Sequence, residues 1–355
     1  MISVAQDQSA VLRSEIQIRA LLATERGRWD EFVEAHASGT FFHKAAWQDV
    51  IERAFGHDTH YFYAEADNRI EAVLPLAHIR SRLFGNALIS LPFCAYGGVL
   101  ATNENARLAL EHAACALAEQ LGVEYLELRY LQPSNPGWPT KNLYVTFRRA
   151  LSPDPEQNFK EIPRKQRAMI RKGIEAGLVA GHDEDIDRFY VTYSTSVRNL
   201  GTPVFARRYF KLLKEVFGDA CEVLTVTRSG AAVASVMSFY FRDEVLPYYG
   251  GGNAAARDLK ANDFMYWDLM RRATDRGIRV FDFGRSKIDS GSYHFKKHWG
   301  FMPAPLAYEY RLVKAKTIPN ISPVNPKYRY FIESWKRLPL PVTRWLGPAL
   351  ARNLG

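Results

Sequence analysis

Segments of the same predicted type recur in the same order in the two halves of this 355-residue chain. Each half has two apolar stretches joined by a turn, a third strand leading towards glycines, a helix closed by glycine, and a further strand. Tyr249-Gly250-Gly251 follows Tyr96-Gly97-Gly98 by 249 − 96 = 153 residues. The helix-ending Gly277 follows Gly122 by 277 − 122 = 155 residues. Short glycine-bounded α/β units also resemble one another by chance, but the constant spacing favours duplication of an α+β domain.

The repeated pattern sets the expected elements and their boundaries. In the first half it predicts strands at 61–65, 70–76, 87–91 and 123–131 and a helix at 106–121. In the second half it predicts strands at 223–227, 232–241, 244–249 and 278–283, and a helix capped by Asn262 or Asp263. Ser152-Pro153-Asp154-Pro155 is typical of a linker. We therefore expect domains at 1–150 and 151–312, and a tail at 313–355 of irregular or short amphipathic segments.

Charge is concentrated in the tail. The chain has a net charge of +9, and Arg311–Gly355 holds nine Lys or Arg against one acidic residue, Glu333. Such a segment suits phosphates, RNA or an anionic membrane surface, while a solvated tail that only keeps the protein soluble explains it equally well. The three cysteines lack disulfide or zinc-site spacing. With no bilayer-spanning apolar run and no signal peptide in the sequence, a cytoplasmic location is expected.

A basic segment follows the predicted domain boundary. Pro163 suits the first turn of a helix, and Arg164, Arg167 and Arg171 would then share one helix face. Guanidinium groups match phosphate oxygens well, although most charge runs are simply solvated faces. Its position beside the boundary favours phosphate binding, so these arginines are predicted to bind substrate.

Glycines follow Tyr249 where the predicted strand ends. Gly250, Gly251 and Gly252 would let a ligand approach the backbone, whose N–H groups can hold an oxyanion or a phosphate. A glycine turn or bulge beside aromatic core residues is the structural alternative. We predict that these glycines bind substrate and that Tyr249 helps to orient the attacking amine.

An acidic residue interrupts the last apolar strand. By strand alternation Asp282 points away from Phe281 and Phe283, and burying its charge is costly unless the charge is paired. Asp282 is therefore predicted either to orient an amine in catalysis or to pair with Arg285, itself a candidate substrate-binding residue.

Two lysines and two histidines follow in one short segment. Lys296 and Lys297 are suited to stabilising a developing oxyanion or to binding phosphate. His294 and His298 stand four residues apart, but no third ligand lies at a recognisable spacing, so no metal site is predicted.

These residues together resemble the second domain of the Fem family. The resemblance is carried by Arg164-x-x-Arg167-x-x-Ile170-Arg171-Lys172, by Asp282-Phe283-Gly284 and by Tyr293-x-Phe295-Lys296-Lys297. The whole chain is similar to the FemAB-like proteins associated with the exosortase/PEP-CTERM system. The most specific parts of that similarity are Ile162 to Gly173, Asn199 to Phe205, Ala261 to Trp267 and Arg352-Asn353-Leu354-Gly355.

The resemblance implies a fold, an activity and a site. It implies two tandem GNAT-like (acyl-CoA N-acyltransferase) domains of α+β class, each a mixed, mostly antiparallel sheet flanked by helices. Well-known Fem proteins transfer amino acids from aminoacyl-tRNA to an amine of a peptidoglycan precursor, and the exosortase-associated branch accompanies exopolysaccharide and envelope-sorting systems. Lys296 would help to stabilise the transition state, and Tyr249 would line the same site.

The chain also departs from both donor patterns. It lacks the helical coiled-coil arm that some Fem proteins use with tRNA, and it has Tyr-Gly-Gly-Gly-Asn in place of the Arg/Gln-x-x-Gly-x-Gly pyrophosphate loop of acetyl-CoA-using GNAT enzymes. The acyl donor therefore stays open between acyl-CoA and aminoacyl-tRNA, with no tightly bound cofactor expected.

The sequence as a whole favours an amide-forming acyl- or aminoacyl-transferase. Its acceptor would be an amine-bearing envelope or polysaccharide precursor. Two other functions compete with it. One is a non-catalytic module that binds a glycan on the same fold, and the other is a nucleic-acid binder that uses the basic tail. The tail is alternatively suited to peripheral contact with the inner membrane, and the oligomeric state is not indicated.

Overall fold

Each half of the chain forms a β-sheet covered by helices. A computed structural model describes residues 15–81, 85–318 and 326–353. The N-terminal segment and Leu354-Gly355 of the terminal motif lie outside the described residues. The strands are β1 (Gln17–Ala20), β2 (Asp58–Ala66), β3 (Arg69–Ser81), β4 (Gly85–Ile89), β5 (Leu100–Ala101), β6 (Tyr125–Tyr130), β7 (Tyr144–Ala150), β8 (Leu178–Asp183), β9 (Cys221–Arg228), β10 (Ala231–Phe241), β11 (Glu244–Gly252), β12 (Val280–Asp282), β13 (Ser286–Lys287), β14 (Pro303–Pro305) and β15 (Ala307–Leu312).

Helices occupy both halves and the tail. They are α1 (Arg26–Ala35), α2 (Trp47–Phe55), α3 (Glu104–Leu121), α4 (Pro155–Glu161), α5 (Arg164–Glu175), α6 (Asp187–Asn199), α7 (Arg207–Phe217), α8 (Ala254–Asp258), α9 (Ala261–Asp275), α10 (Gly291–His298), α11 (Pro326–Arg337) and α12 (Leu340–Ala351).

The two sheets repeat one strand order, in agreement with the repeat of elements along the sequence. The first sheet runs β1-β2-β3-β4-β6-β15, and the second runs β8-β9-β10-β11-β12-β7, with β13 and β14 added on β7. In each path the fourth and fifth strands are parallel, β4 with β6 and β11 with β12. The other neighbours on the two paths are antiparallel. The same order with the same parallel pair supports duplication of one unit.

The sixth strand of each sheet comes from the other half of the chain. Strand β7 lies at the end of the first half but pairs with β12 in the second sheet, with Phe281 opposite Arg149. Strand β15 lies near the end of the second half but pairs with β6 in the first sheet, with Glu309 opposite Leu128. The sheets therefore do not follow the segments 1–150 and 151–312 strand for strand.

Turns and helix ends largely follow the sequence signals. Asp67 and Asn68 adopt the left-handed conformation that a tight hairpin between β2 and β3 requires. Gly122, with φ of 60°, ends α3. Gly277, with φ of 82°, ends the turn that follows α9. The predicted cap of α9 is wrong, because the helix begins at Ala261, after Lys260 in a left-handed conformation. Asp263 instead accepts a hydrogen bond from the indole of Trp299.

Of the two alternatives predicted for the tail, the structure shows short helical segments rather than irregular chain. The tail forms α11 and α12. Helix α12 packs on α6, and its buried residues are Thr343, Gly347 and Ala351. The missing Cβ of Gly347 lets α12 lie close to the chain between α6 and α7, since a Cβ there would lie 2.9 Å from the backbone nitrogen of Val204. Among the helices that the structure describes, none is both long and apolar enough to cross a membrane.

One apolar core is shared by both halves. Phe41, from the first half, stacks on Phe239 of β10 with ring centroids 4.5 Å apart. The ring centroids of Trp47 on α2 and Phe217 on α7 lie 5.0 Å apart. A second cluster fills the space between the second sheet and helices α5, α9 and α10. The second sheet is therefore covered on both faces, and its site must lie at an edge or at a strand end.

Candidate functional site

Strands β11 and β12 separate and leave a strand edge open. They pair only at Glu244 with Val280 and at Val245 with Phe281. Strand β11 continues to Gly252 along β10. Beyond residue 245, no other described strand pairs with the edge of β11 that faces β12. An extended ligand can bind to such an edge through backbone hydrogen bonds.

The three glycines lie inside this strand. The predicted end of the strand at Tyr249 is wrong, because Gly250, Gly251 and Gly252 all pair with β10. Their lack of a side chain lets helices pack against the strand: a Cβ on Gly251 would lie 2.6 Å from the Cβ of Ser196, and one on Gly250 would lie 2.7 Å from the hydroxyl of Tyr266. Binding of substrate by these residues remains a prediction.

Asp282 is buried and fully hydrogen-bonded. Its carboxylate accepts hydrogen bonds from the hydroxyl of Tyr96, from Oγ1 of Thr146 at 3.2 Å and from the backbone N–H of Gly284 at 2.7 Å. It also pairs with Arg148, at 3.4 Å. The predicted alternation is confirmed, because Phe281 and Phe283 belong to the core cluster that covers the sheet.

The predicted pairing of Asp282 with Arg285 is wrong. The guanidinium of Arg285 donates to the hydroxyl of Tyr308 at 2.8 Å and lies 4.6 Å from the ring centroid of Tyr144. Gly284 has φ of 69°, and this turn carries the chain away from β12 before Arg285. Arg285 therefore packs among aromatic rings, and Arg148 supplies the cation beside Asp282.

Lys296, on α10, has a buried amine that lies at the end of β12. Its Nζ donates to the carbonyl oxygens of Gly284 at 2.9 Å and of Arg285 at 3.3 Å. Burial lowers the pKa of Lys296 to about 7; the charge of Asp282 acts against this shift and that of Arg285 adds to it. A lysine ammonium has three donors, so one remains for a ligand when the group is charged. The ring of Tyr248, on β11, lies 3.9 Å from where a Cβ of Gly284 would be, so the turn whose carbonyls hold Lys296 lies next to β11.

Lys297 and Tyr249 lie apart from this amine. The side chain of Lys297 is exposed and lies over the ring of Tyr293. The hydroxyl of Tyr249 shares a 2.7 Å hydrogen bond with that of Tyr209 in the core shared by both halves. Lys296 instead lies over Phe147, in the second core cluster. The structure therefore does not bring the two predicted catalytic residues Tyr249 and Lys296 together.

The basic helix forms as predicted. Helix α5 begins at Arg164, directly after Pro163, and Arg164 and Arg171 are exposed while Arg167 is half-buried. A Cβ on Gly300, just after α10, would lie 3.1 Å from the ring of Pro163. The start of α5 is thus next to the chain that follows Lys296, although no described contact joins the arginines to that amine.

A cavity of about 450 Å³ lies where the two halves meet. Its polar lining includes His43 and Tyr96 from the first half, and Arg148 and Glu244 on two strands of the second sheet. Burial lowers the pKa of His43 to about 4, so the imidazole is neutral at pH 7. Burial also raises the pKa of Glu244, which the charge of Arg148 opposes.

A short hydrogen-bonded path joins this cavity to the amine. Tyr96, Thr146 and Arg148 line the cavity and contact Asp282. Asp282 accepts from the N–H of Gly284, whose carbonyl in turn accepts from Lys296. The cavity and the amine therefore lie on either side of one carboxylate and one glycine.

Sequence reasoning missed the cavity. Its lining comes from segments up to 267 residues apart (304 − 37), and among them only the repeated Tyr96-Gly97-Gly98 element is a recognisable motif. Within the residues that the structure describes, no group of three or more His, Cys, Asp or Glu side chains is arranged to hold a metal ion.

Comparisons with known proteins identify the fold. Residues 158–297 match the model of the Acetyltransferase (GNAT) domain. The structure is similar to a crystal structure of FemX, with TM-score 0.65 and 12% identity, over 84% of this chain and 98% of that one. A tandem GNAT protein from the clavulanic acid biosynthesis pathway aligns with TM-score 0.52 and 13% identity, over 86% of this chain and 100% of that one. No curated protein sequence matches the chain significantly.

A further similar structure is the C-terminal domain of a putative lysylphosphatidylglycerol synthetase from Agrobacterium fabrum. It has TM-score 0.54 and 15% identity, over 81% of this chain and 92% of that one. At these identities the similarity concerns the fold. The chain has the GNAT fold in two tandem units of mixed α+β structure, which confirms the predicted fold class.

Proposed function

We propose that this protein is an N-acyltransferase that forms an amide between an activated acyl group and an amine. The observation that carries the proposal is Lys296: a buried amine with a pKa of about 7, held by two carbonyls of a turn that lies next to β11. The matched Acetyltransferase (GNAT) domain contains both the amine and the edge. In this reaction the amine nitrogen bonds to the acyl carbon and the bond to the leaving group breaks. The proton lost by the amine balances the leaving group, which departs as a thiol from an acyl-CoA or as a hydroxyl from an aminoacyl-tRNA.

The open edge of β11 suits the acyl donor. Backbone groups from Leu246 to Gly252 along that edge lack a strand partner in the described chain, so an extended donor arm can bind there as an added strand. The third N–H of the Lys296 ammonium then points to the oxyanion of the tetrahedral intermediate. Such a donor in a dry site stabilises developing charge strongly.

The cavity between the halves suits the amine acceptor. Glu244 is buried there and paired with Arg148, and its carboxylate still has a second oxygen to accept a hydrogen bond from the acceptor amine. His43 is neutral and already bonded to Thr40 and to the carbonyl of Gly98, so it is not free to act as a base. Positioning of the two substrates on either side of Asp282 then supplies much of the rate enhancement.

The donor and the acceptor follow from different observations. The matched domain favours an acyl-CoA donor, whereas the Fem-like sequence motifs favour aminoacyl-tRNA. An amine-bearing envelope or polysaccharide precursor is our proposal for the acceptor. The association with the exosortase/PEP-CTERM system and the cytoplasmic location remain predictions from the sequence.

Acyl transfer assays with the full chain test the proposal. Panels of acyl-CoAs and aminoacyl-tRNAs would be offered with primary amines, and amide products detected by mass spectrometry. We expect Lys296→Met to lower kcat about 100-fold or more through loss of the oxyanion donor. Glu244→Gln should raise KM for the acceptor more than it lowers kcat. Lys316→Ala, at an exposed site, is the matched control.

Two outcomes would count against this assignment. A folded Lys296→Met variant with the wild-type rate would remove Lys296 from the mechanism. Absence of amide with either donor class, from protein that still binds glycan, would favour the non-catalytic binding module.

A further inference from the structure

Helix α12 turns an apolar face outward. Val342, Trp345, Leu346 and Ala349 recur at intervals of three and four residues and so share one side of the helix. The exposed fractions are 36% for Val342, 79% for Trp345 and 37% for Leu346. A surface helix ordinarily has its apolar residues against the core, and here they face away from it.

The opposite side of α12 is anchored to the protein. Thr343, Gly347 and Ala351 are buried on that side. Arg344 donates through Nε to the hydroxyl of Ser194 at 3.0 Å, and Arg352 donates to the carbonyl of Phe55 at 2.7 Å. These contacts fix the rotation of the helix, so the apolar side stays exposed.

The apolar surface continues onto α11. A groove of about 360 Å³ between the two helices is lined by Phe331 and Leu338 as well as by Leu346 and Ala349. Phe331 is 40% exposed and stacks on Trp335 with ring centroids 5.3 Å apart. We call Phe331, Val342, Trp345, Leu346 and Ala349 the tail face. An exposed, continuous apolar patch of this kind marks an interaction site.

The charge of the tail and the length of α12 indicate what binds to the tail face. The segment Arg311–Gly355 has nine Lys or Arg against one acidic residue. Arg344 and Arg352 are used to anchor α12, whereas Arg337 at the end of α11 is exposed. Apolar and Trp side chains beside cationic ones are typical of helices that lie in the interface of an anionic bilayer. Helix α12 has 12 residues, about 18 Å of length, which is too short to span a bilayer and suits a helix lying flat.

We propose that the tail face docks this protein on the surface of an anionic lipid bilayer, with Val342, Trp345 and Leu346 inserted among the lipids. The proposal concerns a surface outside the acyl-transfer site and does not depend on that activity. It also gives a function to the basic tail, which the proposed acyl-transfer site does not use.

Vesicle co-sedimentation of the full chain tests the proposal. The probes are vesicles of phosphatidylcholine alone and of phosphatidylcholine with 30% phosphatidylglycerol. We expect binding to the anionic vesicles at least tenfold tighter than to the neutral ones, and weaker binding as salt is added. The double variant Trp345→Ser, Leu346→Ser should lose at least tenfold in affinity. Met302→Ser is the matched control, since Met302 is 78% exposed and lies outside the tail.

Other results would overturn the proposal. Equal binding of the double variant and the wild type to anionic vesicles would place membrane contact elsewhere. Equal binding to neutral and anionic vesicles would remove the charge argument. A wild-type dimer that the double variant converts to a monomer, without vesicle binding, would assign the tail face to self-association. Unchanged circular dichroism of both variants would show that each result comes from a folded protein.

Discussion

At the scale of single residues, Lys296 is the group whose charge the fold controls most directly. Burial lowers its pKa to about 7, so its charged fraction falls as the pH rises through 7. The proposed oxyanion donor is the charged form. We therefore expect kcat/KM to fall on the alkaline side with an apparent pKa near 7, measured from pH 5.5 to 9.5 with an acceptor of low pKa.

The variant Lys296→Arg separates this effect from titration of the substrate. Arginine stays charged throughout this pH range, so the alkaline limb should move to higher pH even if the absolute rate is lower. A wild-type rate that instead climbs through pH 7, and is flat in Lys296→Arg, would assign the neutral amine of Lys296 as a base.

Residue predictions succeeded where they relied on local geometry. The orientation of Asp282 follows from strand alternation and is confirmed by its contact with Thr146 on the neighbouring strand. Its partner could not be predicted, because Arg148 reaches it only through the exchange of β7 into the second sheet. Likewise Tyr96 and Glu244 line the same cavity from different halves of the chain, and no sequence spacing relates them.

At the scale of elements, the glycines of β11 show that one sequence motif can adopt different structures in the two halves. Tyr249-Gly250-Gly251 and Tyr96-Gly97-Gly98 match in sequence, but the first lies in a strand and the second in the irregular chain between β4 and β5. The periodicity and the turn signals predicted which strands exist. They could not show that Ser196 of α6 needs the space beside Gly251.

Gly251→Ala should therefore destabilise the protein. The new Cβ would lie 2.6 Å from the Cβ of Ser196, an atom fixed on α6. Overpacking of this kind costs about 1–3 kcal/mol. Gly181→Ala in β8 is the control, since its Cβ would meet no atom within 4 Å. Urea denaturation measures both variants. A free energy of unfolding that is the same for the two would show that α6 adjusts at no cost.

At the scale of the whole molecule, the internal repeat is real but the repeated units are not separate. The sequence predicted that the elements repeat in the same order along the chain, because each unit keeps its own turn and helix-end signals. It could not predict the exchange of β7 and β15, since a strand's composition does not reveal which sheet it joins. The exchange also builds the candidate site, because β7 contributes Thr146 and Arg148 to the wall of the cavity.

This exchange predicts that neither half folds alone. A fragment of residues 1–150 lacks β15, and it leaves the backbone N–H groups of Ser134 and Asn135 without the buried carboxylate of Glu309. A fragment of residues 151–355 lacks β7, and this removes the partner of β12, β13 and β14. Both fragments would also expose the shared aromatic core, including Phe41 and Phe239.

We expect the full chain to unfold in urea in a single transition, and each fragment to lack both a cooperative transition and near-ultraviolet circular dichroism. Mixing the two fragments from denaturant should restore both signals, because each supplies the strand that the other lacks. A cooperative transition in the isolated fragment 1–150 would show that the first sheet is stable without β15. In that case the shared core, rather than the exchanged strands, would be what joins the two halves.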